Sequence, residues 1–266
     1  MAILRENNRC TRRVKNNIFV AVSRLGLALG AGGLSLTMAG SASAATPTTL
    51  PAPSGQGGVI DEGPAPATAG VPASKLVALR TLNAQRNSPG SASSIQPAYS
   101  AGSLTLSVVV ESQATSYYCV PASSRVTLSA FISSLPSQAT LASQLGTTSS
   151  GTYMSNVPAV LNSYQSRNYY AFNSTSSLTD LRDRIQLDIQ SYSAPLQNQV
   201  QMSLLPWYAG SLSGNHDIAT YGYYYATKVS NAYVYDPWTD PRAGRETIYT
   251  SDLYDAGAPY SDNLVW

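Results

Sequence analysis

Histidine and cysteine are nearly missing from this sequence, with one His and two Cys among 266 residues. Any imidazole chemistry must use His216, and any thiol chemistry must use Cys10 or Cys119. Charge is also scarce, at 11% of residues, and the positive part of it gathers at the front. Arg5, Arg9, Arg12, Arg13, Lys15 and Arg24 lie there, against the single acid Glu6. Residues 17 to 40 are apolar and small, and Ala42-Ser43-Ala44 follows as an A-x-A cleavage site, the pattern of a secretory signal peptide. Residues 1–44 are therefore expected to leave on export, with Arg12-Arg13 hinting at a twin-arginine route. What remains holds ten basic and thirteen acidic side chains, without a basic cluster, so the electrostatic footprint of a nucleic-acid partner is missing. No later run approaches the roughly 18 consecutive apolar residues of a membrane span. Cys10 departs with the leader, so Cys119 has no internal disulfide partner in a setting where cysteines usually pair. It is either a small buried hydrophobe or a reactive thiol.

Residues 45–98 are rich in Pro, Ala, Thr and Gly, and such a stretch buries too little apolar surface to offset the entropy of ordering. They read as a spacer or pro-segment, mostly disordered, with a surface helix possible over 74–87. Residues 99–266 form the globular domain. Alternation of Leu104, Leu106, Val108 and Val110 with Thr105, Ser107, Val109 and Glu111 predicts a half-buried strand. It leads to QATSYYCVPASSR at 113–125. Pro121 fits only the first turn of a helix, which places Cys119 at or just before a helix start, with Val120, Val126, Ala130 and Phe131 facing a core. Short helices are expected over 137–145 and 153–165, separated by a Gly- and Thr-rich loop at 146–152. A further helix over 177–190 is capped by Ser177. Strands rich in Val, Ile and Tyr are expected over 199–205, 217–225, 231–235 and 246–249. Helices first and strands later make an α+β domain.

His216 follows Gly210, Gly214 and Asn215 and opens a strand. A lone histidine in such a place is more often an exposed loop residue, and its neighbours shift that balance. If the strands on either side of 226–231 form an antiparallel hairpin, positions whose numbers sum to roughly 452–457 face each other, and His216 falls beside Asp236 to Asp240. Asp236 is then the carboxylate that reaches the imidazole. Asp217 is the poorer candidate, because adjacent strand residues point to opposite faces. A thiol at a helix start beside a histidine favours a thiolate–imidazolium pair. Gln113, six residues upstream, can offer its side-chain NH₂ together with the backbone N–H of Cys119 to an oxyanion. These are the parts of acyl transfer through a thiol.

The combination of Q-x5-C at a helix start, G-N-H-D-I-A-T-Y-G-Y and V-Y-D-P-W resembles papain-fold cysteine peptidases. Within them it is most similar to the bacteriocin-processing (double-glycine) peptidases and their secreted bacterial relatives, family thirty-nine of the cysteine peptidases. The resemblance spans about Leu104 to Tyr249. It implies a papain-like α+β fold, with Cys119 as nucleophile, His216 as base and acid, Asp236 as orienter and Gln113 as oxyanion donor, and no metal or organic cofactor. Two positions depart from the family pattern: Val120 stands where Gly is usual, and Asn215 separates Gly214 from His216.

The expectation is a secreted, extracellular or cell-wall-associated bacterial thiol peptidase, monomeric, acting on a peptide or protein substrate. Two alternatives use the same fold. One is an amidase or transpeptidase on cell-wall peptides, and the other is a wall-associated binding module whose thiol is inert.

Overall fold

The computed structural model describes residues 58–87 and 102–266. The expected signal peptide, 1–44, and the spacer residues 45–57 and 88–98 lie outside the described residues.

The described chain runs β1 (Val59–Ile60), α1 (Ala73–Asn87), β2 (Gly102–Thr105), α2 (Cys119–Leu128), α3 (Gln138–Leu145), β3 (Thr152–Tyr153), α4 (Val157–Tyr164) and β4 (Phe172–Ser174). It continues with α5 (Leu178–Leu187), β5 (Leu196–Gln201), β6 (Asn215–Tyr225), β7 (Val229–Asp236), β8 (Gly244–Tyr249), α6 (Thr250–Gly257) and β9 (Asn263–Val265). Short 3-10 turns precede α4 and follow β5, and a π-helical turn extends α5. Among the described residues, no helix is long and apolar enough to cross a membrane.

Seven strands form one antiparallel sheet in the order β4-β9-β5-β6-β7-β8, with β2 also pairing β6. β6 is the organiser, because one of its edges is shared. Its first half pairs β5 (Val200 opposite His216, Leu196 opposite Thr220), and its second half pairs β2 (Thr105 opposite Gly222, Gly102 opposite Tyr225). At Gly222 the two backbones come so close that a Cβ would lie 2.7 Å from the Leu104 carbonyl oxygen. β6 and β7 form the expected hairpin, with Ala219 opposite Tyr235 and Thr220 opposite Val234, and a bulge between Thr220 and Gly222.

Side chains alternate across a strand, and the core divides accordingly. Ile218 and Val234 join Leu181 and Ile185 of α5 and Leu253 and Ala256 of α6 on one face. Ala219, Tyr221 and Tyr235 meet Val126 of α2 on the other. Beyond α2, α3 and α4 close a third apolar cluster around Cys119, Val120, Leu141, Leu145, Val157 and Leu161. The sheet is thus covered on both faces, and the architecture is α+β.

Several local expectations shift on inspection of the fold. The strand expected from Leu104 pairs only through Thr105. The chain then continues extended because Leu106 N–H bonds Tyr221 O at 2.9 Å and Val109 N–H bonds Ser129 Oγ at 2.8 Å. Pro158 fits only a first helical turn, so α4 starts at Val157 rather than 153. The strand expected over 199–205 sits at 196–201, where it pairs β6.

The helix expected over 74–87 forms as α1, and the larger difference concerns 58–72, which composition assigns to a mostly disordered spacer. These residues are folded onto the domain, and their proline-rich backbone is satisfied by distant side chains. Asn173 Nδ2 donates to the carbonyls of Pro66 (2.6 Å) and Ala69 (3.0 Å), and Arg184 Nη2 donates to Ala67 O (3.0 Å). Ala65 N–H donates to Ser174 Oγ at 2.8 Å. Farther on, Lys75 is buried against Asp188, Nζ to Oδ1 2.9 Å, and lies 4.4 Å from the centre of the Trp266 ring.

Candidate active site

Cys119 is the first residue of α2, and the turn before it is unusual in one respect. The residue ahead, Tyr118, offers no side-chain cap to the helix start. Pro121 has no N–H, and Ala122 N–H already bonds Tyr118 O at 2.9 Å. The backbone N–H groups of Cys119 and Val120 therefore stand at the positive end of the helix without a capping side chain, where partial charge favours an anion. The chain approaches this point through an extended loop that α3 clamps. Gln138 accepts from Ala114 N–H at 2.8 Å and donates to Ser112 O at 2.8 Å.

The first turn of α2 abuts the start of β6, with Ser123 Oγ donating to the Asp217 carbonyl at 3.1 Å. That contact brings Cys119 to the strand end that carries His216. The imidazole is fully buried, not exposed in a loop. Its Nε2 lies 2.8 Å from Asp236 Oδ1. Its Nδ1 has no hydrogen-bond partner, and the nearby Cys119 thiol is among the groups that raise the imidazole pKa. Trp238 meets the imidazole edge to face at 5.8 Å between ring centres.

Asp236, the last residue of β7, is itself buried and receives four hydrogen bonds. Oδ1 accepts from His216 Nε2 and from Trp238 N–H (2.9 Å), and Oδ2 accepts from Tyr208 Oη (2.6 Å) and Trp207 Nε1 (2.9 Å). Burial pushes this carboxyl up, but the His216 charge and the hydrogen bonds outweigh it and hold it below the ordinary carboxylate range. Burial alone would lower the imidazole; Asp236, followed by Cys119, reverses this and raises it to about 10. The imidazole therefore carries its proton at neutral pH.

The structure thus brings Cys119, His216 and Asp236 to one end of the sheet. Gln113 is buried nearby. Its N–H donates to Pro237 O at 2.7 Å, next to Asp236, and its Nε2 donates to Thr115 O at 2.7 Å, while Oε1 is without a partner. Asp217 follows His216 along β6, and its backbone carbonyl accepts from Ser123 of α2. Burial pushes its carboxyl well above the ordinary range, and the nearby His216 charge offsets only part of that. Neither of its oxygens has a hydrogen-bond partner by geometry.

Trp207 and Tyr208 escape sequence reasoning. They lie in an irregular stretch, LPWYAG, without periodicity. The one available signal is a pair of aromatics with polar tips, side chains that usually find a hydrogen-bond partner when buried.

Residues 105–258, more than half of the chain, match the model of a family described as the Peptidase_C39 like family. No curated protein matches the sequence. Among solved structures, the chain is similar to a double glycine motif protease from an AMS/PCAT transporter in complex with the leader peptide, at 15% identity and a TM-score of 0.40, covering 62% of this chain and 96% of that one. A C39-like peptidase from Bacillus anthracis aligns at 13% identity and a TM-score of 0.46, over 61% and 96%. The peptidase domain of Streptococcus ComA, a bi-functional ABC transporter involved in a quorum sensing pathway, aligns at 15% and 0.40, over 60% and 97%.

Proposed function

The chain belongs to the Peptidase_C39 like family, whose members are cysteine peptidases, and from that membership we propose that it hydrolyses peptide bonds through Cys119, His216 and Asp236. The observation that carries this reading is the buried imidazole, bonded through Nε2 to Asp236 and close enough to Cys119 for the thiol to act on its titration.

In the proposed reaction, the Cys119 thiolate attacks the carbonyl carbon of the scissile bond and His216 holds the proton. The tetrahedral oxyanion faces the Cys119 backbone N–H and the second N–H of the Gln113 amide, whose first bonds Thr115 O. When the C–N bond breaks, His216 Nδ1 gives its proton to the leaving amine, and a thioester to Cys119 remains. Water then attacks the thioester while His216 takes its proton, and the acid is released as the thiol returns. Asp236 keeps the ring orientation and stabilises the imidazolium throughout. Val120 stands where glycine is usual and packs its side chain into the apolar cluster that contains Cys119.

The signal-peptide pattern of 1–44 supports export to the outside of a bacterial cell. Peptide-library hydrolysis tests the reading, with Cys119→Ala and His216→Ala expected to abolish turnover. Residual hydrolysis in Cys119→Ala equal to that of the unaltered protein would remove the thiol from the mechanism.

A further inference from the structure

Both side chains of the proposed reacting pair are closed off, for Cys119 and His216 are each 0% exposed. A peptide bond cannot reach a sulfur that has no accessible surface, so something has to move. The chain supplies a candidate from its own N-terminal side. Gly58 rests on the Tyr117 peptide, two residues before the nucleophile, so closely that a Cβ on it would lie 2.4 Å from Tyr117 O. On its other side, a Cβ on Gly151 would lie 2.5 Å from Gly58 O. Backbone therefore packs on backbone, with no room for a side chain at either glycine.

From there the segment is held as an extended peptide ligand is held. Thr152 N–H donates to Gly58 O at 2.8 Å, and Val59 and Ile60 pair in parallel with Thr152 and Tyr153. Val59 is buried in the apolar cluster that contains Cys119 and Val120. β1 also approaches β6, the strand that carries His216. Residues 58–60 thus lie against both the loop that delivers the thiol and the strand that delivers the imidazole.

Anchors downstream keep them there. Glu62 accepts from Ser155 N–H at 3.0 Å and from Ser155 Oγ, and Gly63 O accepts from Asn263 Nδ2 at 2.8 Å. The bonds to Pro66, Ala67 and Ala69 and the Lys75–Asp188 pair follow. A segment tethered on this scale is present at high effective concentration, and a free peptide must outcompete it.

We infer that residues 58–60 are an intramolecular inhibitor, a strap that occupies the peptide-binding groove beside Cys119 and must be displaced before substrate enters. The inference rests on Cys119 and His216 being the reacting pair, and its test separates the two claims.

Alkylation of Cys119 by iodoacetamide, followed by mass spectrometry on the full chain, measures how often the groove opens, because the rate scales with the open fraction. Gly58→Val pushes the strap off the Tyr117 backbone and is expected to accelerate alkylation by about tenfold or more. Glu62→Ala removes one exposed anchor and is expected to give a smaller acceleration with an unchanged thermal transition. A synthetic peptide of residues 55–66 should slow alkylation of Gly58→Val again. If Gly58→Val loses its thermal transition, Glu62→Ala decides. Alkylation unchanged in the folded variants overturns the strap, and so does measurable peptide hydrolysis that is equally fast in the unaltered chain and in the variants. Faster alkylation without hydrolysis supports the strap and counts against the peptidase reading instead.

Discussion

Asp236 holds two donors on each carboxylate oxygen while buried, and that environment explains why the carboxyl stays ionised next to an imidazole that stays protonated. Tyr208→Phe removes one of the donors that lower the Asp236 pKa. The acidic limb of the pH–rate profile should therefore move to higher pH, with a stability loss of about 1–3 kcal/mol from the lost hydrogen bond to a charged acceptor; urea unfolding and the rate profile read the two effects. Since His216 is the one histidine in the chain, its proton resonances need no assignment. They should not titrate between pH 5 and 8, and their midpoint should fall in Cys119→Ala, because the thiol is among the groups that raise it. The folded pKa, about 10, lies above the ordinary value of about 6.5. The stability this group contributes is thus fully present below the lower value and lost as pH climbs through the higher one. Asp217 works in the same direction: its folded pKa is raised, so its contribution is present below the ordinary carboxylate pKa and lost as pH rises. Asp217→Asn should accordingly be more stable than the unaltered chain at pH 8, by urea unfolding, and should keep its turnover; a variant less stable at pH 8 would show that the carboxylate has an ionic role.

Helix α2 and the loop before it act as one element, because beyond the Leu106–Tyr221 bond the loop is held by Ser129 at Val109 and by Gln138 at Ser112 and Ala114. Gln138→Ala removes the bonds to Ser112 and Ala114 without touching a reacting group. The expected result is a fall of about 10- to 100-fold in kcat/KM from displaced geometry, with far-UV circular dichroism unchanged. At the other end of β6, Gly222→Ala forces a Cβ against the Leu104 carbonyl. It should cost about 1–3 kcal/mol as overpacking, measured by thermal unfolding, because backbone oxygen cannot swing away as a side-chain tip can.

Across the whole molecule, the N-terminal segment and the end of the chain are joined through one buried cation. Lys75 pairs with Asp188 and lies over the Trp266 ring, which Arg184 also approaches at 4.4 Å. Burial lowers the lysine and raises the aspartate, and each partner offsets part of the other's shift. Removing one partner strands the other in a dry site, so Lys75→Met should cost about 3–5 kcal/mol, whereas Lys75→Met with Asp188→Leu should recover much of that. Thermolysin digestion of the same variants should show earlier cutting between 60 and 75 in the single variant, since the pair fixes α1 to the domain.

The sequence by itself determined whatever depends on neighbours within a few residues. Pro121 dictated where α2 can begin, Ser177 where α5 is capped, and the alternation around 217–235 the hairpin whose arithmetic set His216 beside Asp236. The order of Gln113, Cys119, His216 and Asp236 was enough to suggest a family and a chemistry. Tertiary structure alone decided which distant groups meet Asp236 and which segment packs beside Cys119. Trp207 and Tyr208 reach Asp236 across nearly thirty residues from a stretch with no period to read. The segment 58–75 orders because Asn173, Arg184, Asn263 and Asp188 meet backbone and ammonium groups about a hundred residues or more away. Composition measures only how much apolar surface a segment can bury, and a segment held mainly by other segments' hydrogen bonds and one buried ion pair leaves little trace in that measure.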